Sequence, residues 1–234
     1  MKNPVATSLM FVVLGLIVAP AGSPAWGDPY QDPNKVAIPD DPALPNVLII
    51  GDSVSQGYTP RVKELLKGKA NVFHIEDNAR SSGSAVGWAM WAAKPGKKWD
   101  VILFNYGIWD VSHDWRVDNN GRKIAGTTPE EYENNLRAAT TIFKATGAKI
   151  IFATTTPVGP SKATWDSVPE RNKIAVKIMQ ENGIAIDDLY SIMASDQAGL
   201  RAADDIHQNE KGNEVLARSV AASIEMQISK GGPG

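Results

Sequence analysis

Five short apolar runs alternate with longer segments of helical spacing over most of the chain. The runs lie at residues 46–50, 71–76, 99–107, 148–157 and 183–188. Short continuous runs rich in β-branched residues are typical of parallel strands that are covered on both faces. The alternation therefore predicts an α/β domain in which a five-stranded parallel sheet carries helices on both faces.

Helical spacing is clearest between the third and fourth runs, in segment 128–147. One apolar stripe is formed there by Tyr132, Leu136, Ala139, Ile142 and Phe143. Thr128 is placed to cap the start of this helix and Gly147 to end it. Segments 168–183 and 209–228 have the same spacing, so three long helices are predicted in the second half of the chain.

Another helix is predicted shortly after the first apolar run. Thr59 is a suitable N-cap, and Pro60 fits the first helical turn. Val62, Leu65 and Leu66 then supply the apolar stripe. The intervening residues 51–58 are expected to form the turn between strand and helix.

The N-terminal region differs from the rest of the chain. Lys2 precedes an apolar run over residues 9–19, which small residues follow, and this order predicts a signal peptide at residues 1–27. The run is about half of the ~20 residues that span a bilayer, so a permanent membrane helix is the weaker interpretation. Residues 28–45 contain five prolines and are predicted to be an extended lead-in to a domain at residues 46–230.

Composition narrows the class of protein. A chain of 234 residues with 43% hydrophobic content can bury the core of one domain, and a net charge of −2 gives no reason to expect nucleic acid as a partner. The absence of cysteine excludes disulfides and thiolate metal sites but is compatible with export. A periplasmic or secreted protein without stable membrane insertion is the resulting prediction.

Candidate chemistry begins at Gly51-Asp52-Ser53, directly after the first apolar run. Ligands of open α/β sheets bind outside the carboxyl ends of the strands, which makes Ser53 a candidate nucleophile. A serine needs a base and the base needs an orienting carboxylate, and Asp204 and His207 could present both from one loop. Both motifs also suit plain helix-capping turns, so this alternative stays open at this point.

Several other kinds of site are not supported. The Gly51–Ser53 turn has neither the Gly-Lys-Ser/Thr ending of a phosphate-binding loop nor the three spaced glycines of a dinucleotide site. Ser55 stands where the nucleophile elbow of α/β-hydrolases has its second glycine. With three histidines and no His-Glu-x-x-His spacing, no metal and no cofactor are predicted. His74 is expected to be packed in a strand, whereas His113 follows on a loop near the site.

Four short blocks together resemble the SGNH hydrolases, also called GDSL esterases and lipases. They are Gly-Asp-Ser at 51–53, Asn-Ala-Arg-Ser-Ser-Gly at 78–83, Asn-Tyr-Gly-Ile-Trp-Asp at 105–110 and Asp-Asp-Ile-His at 204–207. The resemblance, which runs from about residue 46 to residue 228, implies a flavodoxin-like three-layer sandwich and a serine esterase. It implies that Ser53, Asp204 and His207 are the catalytic triad, with the Ser53 and Gly83 backbones donating to an oxyanion hole.

The third block departs from the family pattern. The family has an asparagine as the third oxyanion donor where this chain has Trp109, and the nearest asparagine is Asn105. Asn105 is therefore expected either to donate to the oxyanion or to pair with the backbone of the turn. A subgroup that resembles bacterial carbohydrate esterases carries such a tryptophan.

The loops after the third and fourth runs bear on the substrate. Asn120-Gly121 predicts a hairpin that could act as a lid, and Trp109, Trp115 and Trp165 are predicted to bind substrate. Tryptophan faces suit the C–H patches of sugar rings. These features favour a serine esterase that removes acetyl or another short acyl group from a carbohydrate or other small ester. Acyl transfer to a sugar hydroxyl and a non-catalytic carbohydrate-binding module are the alternatives.

Overall fold

The computed structural model describes residues 41–230, apart from residues 114, 166 and 196. Its main sheet consists of β1 (Asn46–Ile50), β2 (Asn71–His74), β3 (Val101–Phe104), β6 (Lys149–Ala153) and β7 (Ala185–Asp187). All neighbouring strands are parallel, in the order β2-β1-β3-β6-β7. The five predicted strands are thus confirmed, and their order is that of flavodoxin-like sheets.

Helices cover both faces of the sheet. They are α1 (Ser53–Leu65), α2 (Ala85–Ala92), α3 (Ile108–Val111), α4 (Pro129–Ala145), α5 (Val168–Glu181), α6 (Leu189–Ala194), α7 (Gln197–Leu200) and α8 (Glu210–Ser229). One apolar core joins the sheet to α2, α4 and α5, and a second joins its other face to α1 and to α6, α7 and α8. The three-layer sandwich is therefore confirmed.

The burial of the central strands bears on how the register of the sheet is fixed. In β1, Leu48 and Ile50 face the first core and Val47 and Ile49 face the second, and all four are fully buried. Because side chains alternate across a strand, a shift of the register by one residue would exchange the two faces. Both faces are apolar, so the register is held by packing shape and by the parallel hydrogen bonds to β2 and β3.

Helix α1 begins seven residues earlier than predicted, with its N-cap at Asp52 instead of Thr59. Asp52 is the N-cap, and its side chain accepts a hydrogen bond from the Val54 N–H. Pro60 consequently lies inside the helix, where it cannot donate to the preceding turn. The Thr59 hydroxyl donates to the Ser55 carbonyl at 2.7 Å instead of capping the helix. The prediction of a start at Thr59 was wrong because an earlier cap was available.

Helix α4 and the hairpin follow the sequence closely. Thr128 and Glu131 form a capping box at the start of α4, and Gly147 follows its end with a φ of +79°. Strands β4 (Arg116–Val117) and β5 (Lys123–Ile124) pair antiparallel around Gly121, whose φ is +74°. The predicted hairpin is confirmed.

Only the end of the proposed lead-in lies within the described residues. Asp41 donates from its N–H to the Asn71 side chain, and Asn71 donates back to the Asp41 carbonyl, at 3.0 and 2.9 Å. The predicted signal peptide at residues 1–27 and most of the lead-in at residues 28–45 lie outside the described residues. None of the described helices is both long enough and apolar enough to cross a membrane.

Candidate active site

The first and third blocks meet where the sheet topology reverses. Strands β1 and β3 are neighbours, but the chain leaves β1 towards β2 and leaves β3 towards β6. The loops that follow two such strands diverge and leave a crevice at the carboxyl edge of the sheet. Ser53 follows β1 and Trp109 follows β3, so both lie at this edge.

Ser53 is the first residue of α1 and is half-buried. Gly51 precedes it without a side chain because a Cβ there would lie 2.6 Å from the Ser55 hydroxyl. The tight turn and the Asp52 cap direct the start of the helix, with its positive dipole end, towards the crevice.

His207 reaches Ser53 from the loop before α8. Its Nε2 lies 2.7 Å from the Ser53 Oγ, and its Nδ1 lies 2.6 Å from Asp204 Oδ2. The other oxygen of Asp204 accepts the backbone N–H groups of Ile206 and His207 at 3.0 and 2.9 Å. Burial alone raises the pKa of Asp204, but these hydrogen bonds lower it to about 2. The Asp204 carboxylate is therefore ionised at neutral pH.

Asp205, the neighbour of Asp204, has a different set of contacts. Its backbone is left-handed, with a φ of +64°, and its carboxylate accepts the Ser161 N–H at 2.9 Å. Its carbonyl accepts the Gly159 N–H at 2.7 Å. Asp205 thus ties the histidine loop to the loop that follows β6 and does not contact His207 in these hydrogen bonds.

Two backbone N–H groups were singled out by the sequence, those of Ser53 and Gly83. Gly83 is the exposed middle residue of the 3₁₀ turn Ser82–Ser84, in which the second block ends. Within the described part of the chain, neither the Ser53 N–H nor the Gly83 N–H donates a hydrogen bond to another backbone group. N–H groups without a backbone acceptor, at a helix start or in a turn, are suited to stabilise an anion.

Asp110, the last residue of the third block, is a site residue that the sequence analysis did not single out. It is fully buried, and it accepts hydrogen bonds from the Ser82 N–H, the Ser82 hydroxyl and the Thr127 hydroxyl. Burial raises its pKa to about 6, although the hydrogen bonds and the charge of Arg171 act in the opposite direction. Its place in the block was the one signal that pointed to it.

Asn105 does not have a free amide. Its Nδ2 donates to the Ala153 carbonyl at 2.7 Å and lies 3.4 Å from the Thr155 hydroxyl, and the residue is 8% exposed. Both hydrogens of the amide thus have partners on the chain segment that ends β6. This geometry does not support the prediction that Asn105 donates to an oxyanion, and it favours the alternative of pairing with the backbone.

Trp109 and Trp115 form a pair at the edge of the crevice. Their ring centroids are 6.4 Å apart at 51°, and the Trp115 indole donates to the Trp109 carbonyl at 2.9 Å. Gly126 fits beneath them because a Cβ there would lie 2.1 Å from the Trp109 carbonyl oxygen. Trp115 is 46% exposed, so one ring of the pair is open to a ligand.

The hairpin that carries Trp115 is fixed at its base. Arg116 holds both carboxylate oxygens of Glu131 at 2.8 and 3.2 Å and donates to the Gly126 carbonyl at 3.1 Å. Glu131 accepts the Thr128 N–H in the capping box of α4, and its hydrogen bonds with Arg116 and Thr128 lower its pKa to about 2. The hairpin and the start of α4 are therefore one unit.

Trp165 is buried rather than open. It is 5% exposed and packs with Ile108, Val111 and Val168, with the Lys162 ammonium 4.8 Å from its ring centroid. Its ring has no free face of the size that a sugar needs. The structure does not support a substrate platform at Trp165, which supports the wall of the site from within.

The two remaining histidines differ. His74 is half-buried in β2, as predicted, and its Nε2 lies 2.7 Å from the Ser55 hydroxyl. His113 is half-buried on the loop between α3 and β4. Among the described residues, no three His, Asp or Glu side chains cluster in a way that could hold a metal ion, and the absence of a metal stays a prediction.

The fold and this constellation of groups define a class, the serine hydrolases built on a flavodoxin-like sheet. The sequence model of the GDSL-like Lipase/Acylhydrolase family matches residues 49–215. The chain belongs to this family and is a serine ester hydrolase. Among proteins with curated descriptions, none matches this sequence significantly.

Solved structures with the same fold include several esterases. The acetyl xylan esterase AlAXEase is 19% identical with a TM-score of 0.64, over 76% of this chain and 99% of its own. Axe2, an acetylxylan esterase from Geobacillus stearothermophilus, is 19% identical with a TM-score of 0.63, over 77% and 94%. A lipase/acylhydrolase from Enterococcus faecalis is 18% identical with a TM-score of 0.64, over 79% and 97%. At these identities the likeness concerns the fold.

The first prediction concerns the buried acid beside Ser53. Burial raises the pKa of Asp52 from 3.8 to about 6, against the opposing hydrogen bond from Val54, and one carboxylate oxygen has no described partner. Because the folded pKa lies above the unfolded one, this group stabilises the fold below pH 3.8 and loses that contribution as the pH rises to about 6. Asp52→Asn should therefore gain up to about 3 kcal/mol of unfolding free energy, relative to wild type, between pH 4 and pH 8.

Urea unfolding at the two pH values measures this difference. Asp77→Asn provides a control, because it removes one carboxylate at an exposed position. An equal offset between Asp52→Asn and wild type at both pH values would contradict the prediction.

The second prediction concerns Asn105. Asn105→Ala leaves the Ala153 carbonyl without this donor, so we expect a loss of about 1–3 kcal/mol in unfolding free energy. The turnover number should fall by less than about tenfold, because a lost oxyanion donor costs about 10²- to 10³-fold. The measurement is kcat and KM of wild type and Asn105→Ala with a short-chain ester. A hundredfold drop in kcat at constant KM would contradict this prediction and indicate that Asn105 donates to the oxyanion.

Proposed function

We propose that this protein removes acetyl or other short acyl groups from a carbohydrate, with Ser53 as nucleophile. The observation that carries the proposal is the chain of short contacts from Ser53 through His207 to Asp204, at 2.7 and 2.6 Å, at the open carboxyl edge of the sheet. A nucleophile, a base within hydrogen-bond reach and a carboxylate that orients the base are the parts that acyl transfer to a serine requires.

The mechanism follows from these contacts. Asp204 accepts the Nδ1–H of His207, which leaves Nε2 unprotonated and facing the serine hydroxyl. As the Ser53 Oγ attacks the ester carbonyl carbon, Nε2 takes its proton, and Asp204 stabilises the imidazolium. His207 then protonates the departing alcohol, which leaves an acyl-enzyme on Ser53. A water molecule, which gives its proton to His207, attacks the acyl carbonyl, and His207 returns the proton to the Ser53 Oγ as the carboxylic acid departs.

The negative oxygen of the tetrahedral intermediate needs donors that are already in place. We assign two, the backbone N–H groups of Ser53 and Gly83. The positive end of the α1 dipole adds to the first. Asn105 is not assigned here, since its amide is held by the Ala153 carbonyl.

A carbohydrate substrate is supported by the tryptophan pair. The exposed ring of Trp115, backed by Trp109, offers an apolar face with polar neighbours at the crevice edge. Among the proteins of similar fold, AlAXEase and Axe2 are acetyl xylan esterases. We also propose that the protein is exported to the periplasm or secreted, on the signal-peptide pattern of residues 1–27.

A panel of esters tests the function. We expect fluorophosphonate to label Ser53 in wild-type protein and not in Ser53→Ala. Hydrolysis should be fastest with acetyl esters and with acetylated xylooligosaccharides, and slow with long-chain esters. Absence of labelling and of ester cleavage would overturn the proposal, and a product that appears only with an added sugar acceptor would indicate acyl transfer instead.

The third prediction separates the two adjacent acids. Asp204→Asn replaces the acceptor of the His207 Nδ1–H and should lower kcat by about 10⁴-fold. Asp205→Asn, the matched control, alters only the tie to Ser161 and should change kcat by less than about tenfold. The comparison uses initial rates on one acetyl ester, and the reverse ranking would assign the orienting role to Asp205.

The fourth prediction concerns Trp115. Trp115→Ala removes an exposed sugar-binding face, so KM for an acetylated xylooligosaccharide should rise about tenfold while kcat changes little. KM for 4-nitrophenyl acetate, which has no sugar ring, serves as the control and should stay within about twofold. Equal effects on the two substrates would mean that Trp115 shapes the site without binding the sugar.

A further inference from the structure

The buried carboxylate of Asp110 has more hydrogen-bond donors than any plain capping role requires. Asp110 Oδ1 accepts the Ser82 N–H at 3.0 Å, the Ser82 hydroxyl at 2.7 Å and the Thr127 hydroxyl at 2.8 Å. Oδ2 is also 3.0 Å from the Ser82 nitrogen. The fully buried Asp110 side chain thus joins the second and third blocks.

A buried cation lies on the other side of this cluster. Arg171, on α5, is 2% exposed and donates to the Thr127 carbonyl at 2.8 Å. Thr127 in turn donates its own N–H to the Asp110 carbonyl at 3.0 Å. The charge of Arg171 opposes the effect of burial on Asp110. A buried acid and a buried base on different elements therefore enclose Thr127.

All groups that face the Asp110 carboxylate in these bonds are donors. A carboxylate is the one side chain that accepts at both oxygens, whereas an amide presents an N–H₂ at one of the two positions. In either orientation of an asparagine at this position, its N–H₂ would face the Ser82 N–H, so Asp110→Asn weakens the hold on Ser82. Three titratable groups interact electrostatically with Asp110. Arg171 opposes the rise that burial causes in the pKa of Asp110, and the Asp110 charge adds to burial in raising the pKa of Tyr132 and of Tyr106.

We infer that Asp110, supported by Arg171, is a positioning residue that holds the Ser82–Ser84 turn so that the Gly83 N–H faces the reacting ester. The inference rests on the oxyanion role proposed for Gly83. Ser82 is anchored at both its N–H and its hydroxyl, and Gly83 is the next residue in the chain. This support matters more here because Trp109 replaces the asparagine that the family pattern places beside it.

The kinetic test uses Asp110→Asn with Asp187→Asn as the matched control. Asp187 is also buried, at the end of β7, and accepts the Ser219 hydroxyl at 2.6 Å. Among the described residues, it has no hydrogen bond to the Ser82–Ser84 turn. Asp110→Asn should lower kcat by about 10²- to 10³-fold, with KM within about twofold, because a misplaced oxyanion donor affects the transition state and not substrate binding. Asp187→Asn should leave kcat within about threefold of wild type.

Hydrogen exchange measured by mass spectrometry on the same proteins does not depend on activity. Exchange in the segment that contains Ser82 and Gly83 should be about tenfold faster in Asp110→Asn than in wild type and unchanged in Asp187→Asn. Unchanged exchange in this segment would overturn the inference. Faster exchange with wild-type kcat would overturn it as well, because the turn would then not need to be held.

The outcomes are separable from the proposed function. If wild-type protein neither reacts with fluorophosphonate nor cleaves esters, the proposed function fails, and the exchange measurement still decides whether Asp110 holds the turn. If Asp110→Asn does not fold, Thr127→Val removes one hydroxyl donor to Asp110 at nearly constant volume. That variant should lower kcat by about three- to tenfold at constant KM, and a change in KM alone would count against the inference.

Discussion

The central strands are buried on both faces, and this constraint determines where polar chemistry is possible in the molecule. In β1 and β3 the eight residues from Val47 to Ile50 and from Val101 to Phe104 are at most 1% exposed, and their backbone groups pair with neighbouring strands. Polar side chains can leave the core only where the strands end. The functional groups are consequently concentrated at one edge of the sheet, on the loops and helix starts that follow it.

That edge carries an unusual density of buried acids. Asp52 follows β1, Asp110 follows β3 and Asp187 ends β7, and each has a pKa raised by burial. Each also accepts hydrogen bonds from an N–H or a hydroxyl, which offsets part of the desolvation penalty. Asp52 caps the helix that begins at Ser53, and Asp110 anchors the turn that contains Gly83, whereas Asp187 bonds to Ser219 on α8. At the first two positions the cost of burying a carboxylate is thus accepted where it fixes a turn at the edge of the sheet.

Local sequence patterns predicted the sheet, the α4 helix with its Thr128 cap, and the hairpin, because strand runs, caps and Asn-Gly turns depend on neighbouring residues. The order of the blocks also allowed Ser53 and His207 to be paired across 154 positions. The roles of three other residues could not be predicted from neighbouring positions, because their partners lie on distant elements. Asn105 bonds to Ala153 on β6, Trp165 packs in the apolar cluster that contains Val168, and Asp110 bonds to Ser82 and Thr127. The start of α1 was misplaced because two residues suit an N-cap, Asp52 directly before the helix and Thr59 within it.

The hairpin of β4 and β5 shares its anchor with a helix. Glu131 completes the capping box of α4 and also holds the Arg116 guanidinium at the base of the hairpin. Swinging the hairpin away would take from Glu131 one of the partners that orient it at the helix start. These contacts favour a hairpin that serves as a wall of the crevice over one that opens as a lid. For the ester hydrolysis proposed above, a substrate would then reach the crevice without waiting for a loop to open, and its access would depend on diffusion and on its fit beside the hairpin.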